Sequence, residues 1–293
     1  MTFRMKAFLL LILLPLTALG TTWEEYLDQK KALVSHERHL PYRMTHGHKT
    51  QKSVLLIHGI YSSPLYFKGM ADAYFKAGYN VVTILLPGHW EKDFHSMNRV
   101  KPEDWIEEAD LGFKFATELG DQVILSGHSL GGLLAIEQSL KRNETDLHSL
   151  VLISPALKVW SAVLLACRAG MATNLNGNNF DRSKPDGKNI PVFSPIAGPL
   201  IQKLADRVVK RPVTTPVFMA FTWNDNVVDV RFVDKYFKKL NAAKAKKKFS
   251  LFSGISHGDI SQAPTDFPTH LNHTNHRFDE MMTDALDFVG SLP

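Results

Sequence analysis

The sequence predicts an α/β domain, a mostly parallel sheet with helices on both faces. Three observations carry this. Continuous apolar runs ending in glycine or proline recur: SVLLIHG (53–59), YNVVTILLPG (79–88), QVILSG (122–127) and LHSLVLISP (147–155). Such runs are what strands buried on both faces look like. Segments of helical spacing stand between them, as crossovers between parallel strands require. Finally, 44% apolar and 22% charged residues over 293 positions supply a sizeable core in a chain of ordinary globular composition.

Each element follows from its local pattern. Residues 22–38 (WEEYLDQKKALVSHER within them) form a charged helical lead-in. The helix over 64–78 stops at Gly78, a C-terminal cap. The helix over 101–120 carries acids in its first turns and ends in glycine. A helix over 131–141 follows the strand at 122–127. After Pro155 the rhythm breaks: residues 156–211 hold an apolar stretch, an Asn/Gly-rich excursion and a second apolar piece. Alternation resumes with a strand over 214–223, a helix over 230–240, a strand over 247–253 and a last helix over 276–292. No internal repeat is evident. The reading is one domain over 21–293 with an insertion at about 156–211.

The amino terminus has basic Arg4 and Lys6, an apolar run from Ala7 to about Leu19, and small residues at Ala18 and Gly20. This is a secretory signal pattern over residues 1–20. The run is shorter than the roughly 20 residues of a spanning helix. Export to a periplasm or the medium is therefore expected, with an N-terminal membrane anchor as the alternative. Cys167 is the sole cysteine, so no intramolecular disulfide can form, and it is read as a small core hydrophobe. The formal charge is +5, two units of which sit in the leader at Arg4 and Lys6. That is too weak and too dispersed for a nucleic-acid partner, and no such motif is present.

The chemistry centres on ILSGHSLGGLLAI (124–136). Gly127-His128-Ser129-Leu130-Gly131 matches G-x-S-x-G between an apolar strand and an apolar helix, the context in which it forms a nucleophile elbow. The flanking glycines leave room for backbone to pass close by. The helix start favours negative charge beside the serine. Serine needs a base, and the base an orienting carboxylate. Asp225 follows the strand at 214–223, and His257 follows the one at 247–253. Both stand at carboxyl ends of strands, where open α/β sheets build their sites. Asp229 is the rival acid, better placed to cap the helix that follows it. Ser129, Asp225 and His257 also occur in the chain order of this architecture's triad. The oxyanion donors are expected to be the N–H of Leu130 and that of Ile60, after Gly59. Tyr61 either lines the mouth of the site or is an exposed loop tyrosine.

These segments, VLLIHGIYSSP, LLPGH, SGHSLGG, LISPAL, NDNVVD and SHGD, resemble the α/β-hydrolase fold, in particular its monoglyceride-lipase-like and bacterial carboxylesterase branch. They span roughly residues 50–290. The resemblance implies ester hydrolysis through an acyl-serine intermediate, no metal and no organic cofactor, and a cap formed by the 156–211 insertion. The chain departs from it at Trp90, where such proteins usually carry glycine. It also has one glycine in the oxyanion loop instead of the HGGG of another esterase branch.

Other features have plainer readings. His128 is taken as a packing residue of the elbow and His58 as hydrogen-bonded within the core loop. His270, His273 and His276 lack the H-E-x-x-H or carboxylate partners of a metal site. The lysines of 238–248 read as a solvated face, with contact to an anionic membrane surface as the alternative. Trp160 and Leu164, with Val159, Val163 and Leu165, either belong to the core or line an acyl groove, the latter being preferred. The function expected is hydrolysis of medium acyl esters or monoacylglycerols. Alternatives are a thioesterase, lysophospholipase or peptidase with the same triad, or a non-catalytic binder of this fold.

Overall fold

A computed structural model of the chain describes residues 20–93, 95–168, 194–251, 254–261 and 275–293. Nearly all of the expected leader lies outside them, as do the middle of the expected insertion, the Cys167 side chain, His270 and His273.

Among the described residues, seven strands form one sheet: β1 (Arg43–Met44), β2 (Thr50–Ile57), β3 (Asn80–Thr83), β4 (Gly120–His128), β5 (Leu147–Ile153), β6 (Val217–Thr222) and β7 (Lys246–Leu251). Their order is β1-β3-β2-β4-β5-β6-β7; only β1 is antiparallel to its neighbour. The helices are α1 (Trp23–Leu33), α2 (Lys68–Lys76), α3 (Pro102–Leu119), α4 (Leu130–Ser139), α5 (Ser161–Arg168), α6 (Ala197–Val208), α7 (Val230–Lys238) and α8 (Phe278–Gly290).

Successive side chains of a strand point to opposite faces, and the core divides accordingly. Leu55, Ile57, Val123, Leu125, Met219 and Phe221 pack on one side with α3, α4, α6 and α7. Val54, Leu56, Ile124, Phe218 and Ala220 pack on the other with α2 and α8. Every residue of α4 is buried, which is why its sequence is apolar nearly all round. The charged lead-in is tied to this core by one buried charge. Lys30 Nζ donates to the Leu85 carbonyl (2.8 Å) and to Glu108 (2.9 Å), whose other oxygen accepts from the Tyr26 hydroxyl (2.6 Å).

The turn from β4 into α4 leaves no space for a side chain at Gly131. A Cβ there would stand 1.9 Å from the Ile57 carbonyl oxygen, which is backbone and cannot step aside. Gly131→Ala is therefore expected to cost more than about 3 kcal/mol, beyond the usual range for overpacking. A urea midpoint within experimental error of the parent's would show that β2 can move away from the elbow.

Among the described residues, four other than glycine have positive φ: Tyr61 (57°), Trp90 (54°), Ser129 (54°) and Ser154 (39°). They follow β2, β3, β4 and β5 respectively, all at the carboxyl edge of the sheet. Each such conformation costs on the order of 1–3 kcal/mol and persists only where surrounding structure imposes it. Backbone strain is thus concentrated on the edge where His257 and Asp225 also stand.

Candidate active site

Ser129 stands at the apex of the β4–α4 turn, with φ 54° and ψ −116°. Its N–H donates to the Ile153 carbonyl (3.0 Å), and its own carbonyl accepts from Leu133 and Ala156 N–H groups (3.1 and 3.0 Å). The strained backbone is therefore held from both sides. The loop after β2 abuts it: a Cβ on Gly59 would lie 3.1 Å from Ser129 Cβ and 3.0 Å from His128 Nδ1. The backbone reverses at once, the Ser62 N–H donating to the Gly59 carbonyl (3.2 Å) with Tyr61 at positive φ. Among the described residues, the N–H groups of Ile60 and Leu130 have no acceptor.

Asp225 and His257 meet across the ends of β6 and β7. Asp225 Oδ2 lies 2.7 Å from His257 Nδ1, and both side chains are almost wholly buried. Asp225 Oδ1 accepts from the N–H groups of Val227 (2.9 Å) and Val228 (2.7 Å). Burial alone would raise this carboxyl. The adjacent imidazole and the two backbone donors outweigh it and hold the group below the ordinary value. An ionised carboxylate accepts, so the Asp225 contact assigns the proton of His257 to Nδ1. Its Nε2 is buried and has no hydrogen-bond partner among the described residues. Asp229 is elsewhere: it caps α7 by accepting from the Phe232 N–H (3.2 Å) and pairs with Lys158 (3.5 Å).

Three further buried imidazoles stand at the carboxyl ends of β2, β3 and β4, and one of them, His128, touches this pair. His128 Nε2 donates to the backbone carbonyl of His257 (2.8 Å), with ring centroids 4.8 Å apart. Burial, and then the proximity of His257, push His128 down to about 3, so it is neutral and a fixed donor. His58 accepts the Leu86 N–H at Nε2 (3.0 Å) and donates from Nδ1 to the Gly59 carbonyl (2.8 Å). Burial first, then neighbouring His89, hold it well below the usual histidine range. His89 faces the Leu86 and Pro87 carbonyls through Nδ1, and burial pushes it down to about 4.

The expected groove residues are partly engaged by these loops. Trp160 donates from its indole to the Asp225 carbonyl (3.3 Å) and from its N–H to the Val227 carbonyl (3.0 Å). The Tyr61 hydroxyl accepts from the Ser194 N–H (2.8 Å) and donates to the Ser194 carbonyl (3.3 Å), so this half-buried ring joins the β2 loop to the segment before α6. Leu164 is half-buried against the core, whereas Leu165 is 66% exposed. In the lysine-rich run, Lys238 and Lys248 pair with Asp234, Lys244 with Glu144 and Lys247 with Asp284.

Two contacts escape the sequence reading. One is the bond from His128 to His257, foreshadowed only by the need of a buried polar group for a partner. The other is the Trp90 indole, which donates to the Ser62 carbonyl (3.0 Å). Its backbone retains the left-handed conformation despite the bulky side chain.

Residues 54–284 match the model of the alpha/beta hydrolase family. A thermostable monoacylglycerol lipase of Bacillus sp. (strain H-257) is 28% identical over 139 residues, 47% of this chain and 54% of that enzyme. The chain thus spans only about half the length of that relative. The phospholipase YtpA of Bacillus subtilis is 24% identical over 226 residues, 70% of this chain and 86% of the relative. Among solved structures, the monoacylglycerol lipase of Paleococcus ferrophilus superposes with a TM-score of 0.62 at 21% identity, covering 86% of this chain and 98% of that one. A soluble variant of the Saccharomyces cerevisiae monoglyceride lipase gives 0.64 at 14% identity, covering 86% and 90%. At such identities the structural likeness speaks for the fold alone.

Proposed function

The chain belongs to the alpha/beta hydrolase family, and from that premise we propose that it is a serine hydrolase of carboxylic esters. The observation that carries the proposal is the buried Asp225–His257 pair, whose free Nε2 belongs to the same group of loops as the strained Ser129 turn. In the proposed mechanism, Ser129 Oγ attacks the ester carbonyl carbon while His257 Nε2 takes the hydroxyl proton. Asp225 holds the Nδ1–H tautomer and stabilises the imidazolium. The N–H groups of Ile60 and Leu130 receive the tetrahedral oxyanion. Collapse expels the alcohol, which leaves with the proton from His257, and Ser129 carries the acyl group. Water then attacks with His257 again as base, releasing the acid and restoring the serine.

The favoured substrates are monoacylglycerols or esters of medium acyl chains. The apolar α5 stretch with Trp160 and Leu164, and the lipase and phospholipase activities named for the two Bacillus relatives, support this class. Lysophospholipid hydrolysis is the second reading, favoured by the longer span shared with the phospholipase. The leader over residues 1–20 supports export. No helix among the described residues is long and apolar enough to cross a membrane.

A fluorophosphonate probe and a p-nitrophenyl ester series of increasing acyl length test the proposal. The parent should be labelled, Ser129→Ala should not, and hydrolysis should peak at intermediate chains. Labelling that survives in Ser129→Ala, or a parent that neither labels nor hydrolyses, would overturn it.

A further inference from the structure

Trp90 combines three features that packing alone does not require. Its φ of 54° is a conformation glycine adopts without cost and tryptophan does not. Its ring is 2% exposed, yet the indole N–H is not spent on filling the core: it donates to the carbonyl of Ser62 at 3.0 Å. Its face stacks on the His39 imidazole, with centroids 3.7 Å apart and planes at 12°. His39 in turn brings Nδ1 within 2.9 Å of the Ser63 hydroxyl. Two stacked rings therefore hold two successive residues of the loop after β2.

The rings are themselves anchored. The Trp90 carbonyl accepts from the Ser35 N–H (2.7 Å), and Val34 bridges to Glu91, so the segment after α1 fixes the backbone on both sides of the indole. On the other side, Ser62 closes the turn that begins at Gly59 and contains Ile60. A clamp on the Ser62 carbonyl therefore fixes the closing end of that turn, and with it the direction of the Ile60 N–H. Hydrogen bonds weaken steeply with misalignment, so a small rotation of the turn would blunt that donor.

We propose that Trp90 is a positioning residue for the oxyanion donor at Ile60, acting through the Ser62 carbonyl, with His39 as its stacked support. This rests on the reading of Ile60 as an oxyanion donor given above. It also accounts for the retention of a bulky aromatic at a left-handed position: the ring supplies an N–H that glycine cannot.

The test compares the parent with Trp90→Phe, which keeps an aromatic face on His39 and loses the indole donor. Loss of an entire oxyanion donor lowers kcat by about 10²–10³, so a misaligned one is expected to lower it about tenfold with KM unchanged. Affinity for an alkyl trifluoromethyl ketone, whose tetrahedral adduct carries the oxyanion, should fall by the same factor as kcat/KM. Should Trp90→Phe unfold, replacing the indole at position 90 by a benzothiophene deletes the N–H alone, preserves shape and stacking, and is read in the same way. Parental kcat and ketone affinity in the folded variant would overturn the proposal. So would a rise in KM without a fall in kcat. A parent without turnover dependent on Ser129 would instead overturn the hydrolase reading, which separates the two failures.

Discussion

Asp225→Asn is expected to lower kcat by about 10⁴-fold, the scale seen when a triad carboxylate becomes an amide of unchanged geometry. The local hydrogen bonds dictate why the loss should be so large. Asp225 Oδ1 is bound by two backbone N–H groups, of Val227 and Val228. An asparagine keeps those bonds only by placing its amide oxygen there, which turns its NH₂ towards His257 Nδ1. That nitrogen must then accept, and the imidazole proton moves to Nε2. A protonated Nε2 cannot take the proton of Ser129. The opposite flip would keep the right tautomer but set the NH₂ against two buried donors, leaving all of them unpaired. Steady-state kinetics on a soluble p-nitrophenyl ester measures the loss, and KM should change little because the carboxylate is screened from substrate by the imidazole. Asp229→Asn is the control: asparagine is as good an N-cap as aspartate, so activity should stay within about twofold. If Asp229→Asn abolishes turnover and Asp225→Asn does not, the two acids have been assigned the wrong way round.

This pair of carboxylates shows why so much of the candidate site was legible in the sequence. Asp225 sits in the loop after a strand, whereas Asp229 directly precedes an apolar helical pattern, and local rules of capping separate them. Ser129 is legible because glycines on both sides of one serine, between a buried strand and a buried helix, leave few other architectures. The central strands are legible because strands covered on both faces must be apolar throughout. The same signal overextends β3: the apolar run continues to Leu86, but the strand ends at Thr83, and Ile84, Leu85 and Leu86 are buried as loop. The two-residue β1 carries no pattern long enough to read. Trp90 and His128 escape for a different reason. Each donates to a backbone carbonyl, of Ser62 and of His257, and every residue has a carbonyl. Nothing in the identity of residues 62 or 257 marks them as acceptors, so such contacts emerge only once the chain is folded.

The buried imidazoles make stability strongly dependent on pH. Lowering the pH from 7 to 5 is expected to remove roughly 4 kcal/mol of folding free energy through His89 and His128 alone, close to the lower end of the ~5–15 kcal/mol that holds a typical domain together. In the unfolded chain, His58, His89 and His128 titrate near 6.5. In the folded chain burial holds His128 at about 3, His89 at about 4 and His58 well below 6.5. Between about pH 4 and 6.5 the unfolded state therefore binds more protons, and stability rises with pH. His89 and His128 each contribute about 1.4 kcal/mol per pH unit once well below 6.5, or about 2 kcal/mol between pH 7 and 5, and His58 acts in the same direction. Above pH 7 the contribution is complete and the curve flattens. Asp225 acts in the same direction at lower pH, since its depressed carboxyl gives stability that is lost as pH falls through the folded value. Urea midpoints at pH 7, 6 and 5 measure the effect. His128→Gln, whose amide nitrogen takes the place of Nε2 and can still donate to the His257 carbonyl, should flatten the slope by about one proton while unfolding remains cooperative. Midpoints that do not move between pH 7 and 5 would mean that these histidines take up protons within the folded protein, and that the loops around Ser129 are far wetter than their packing implies.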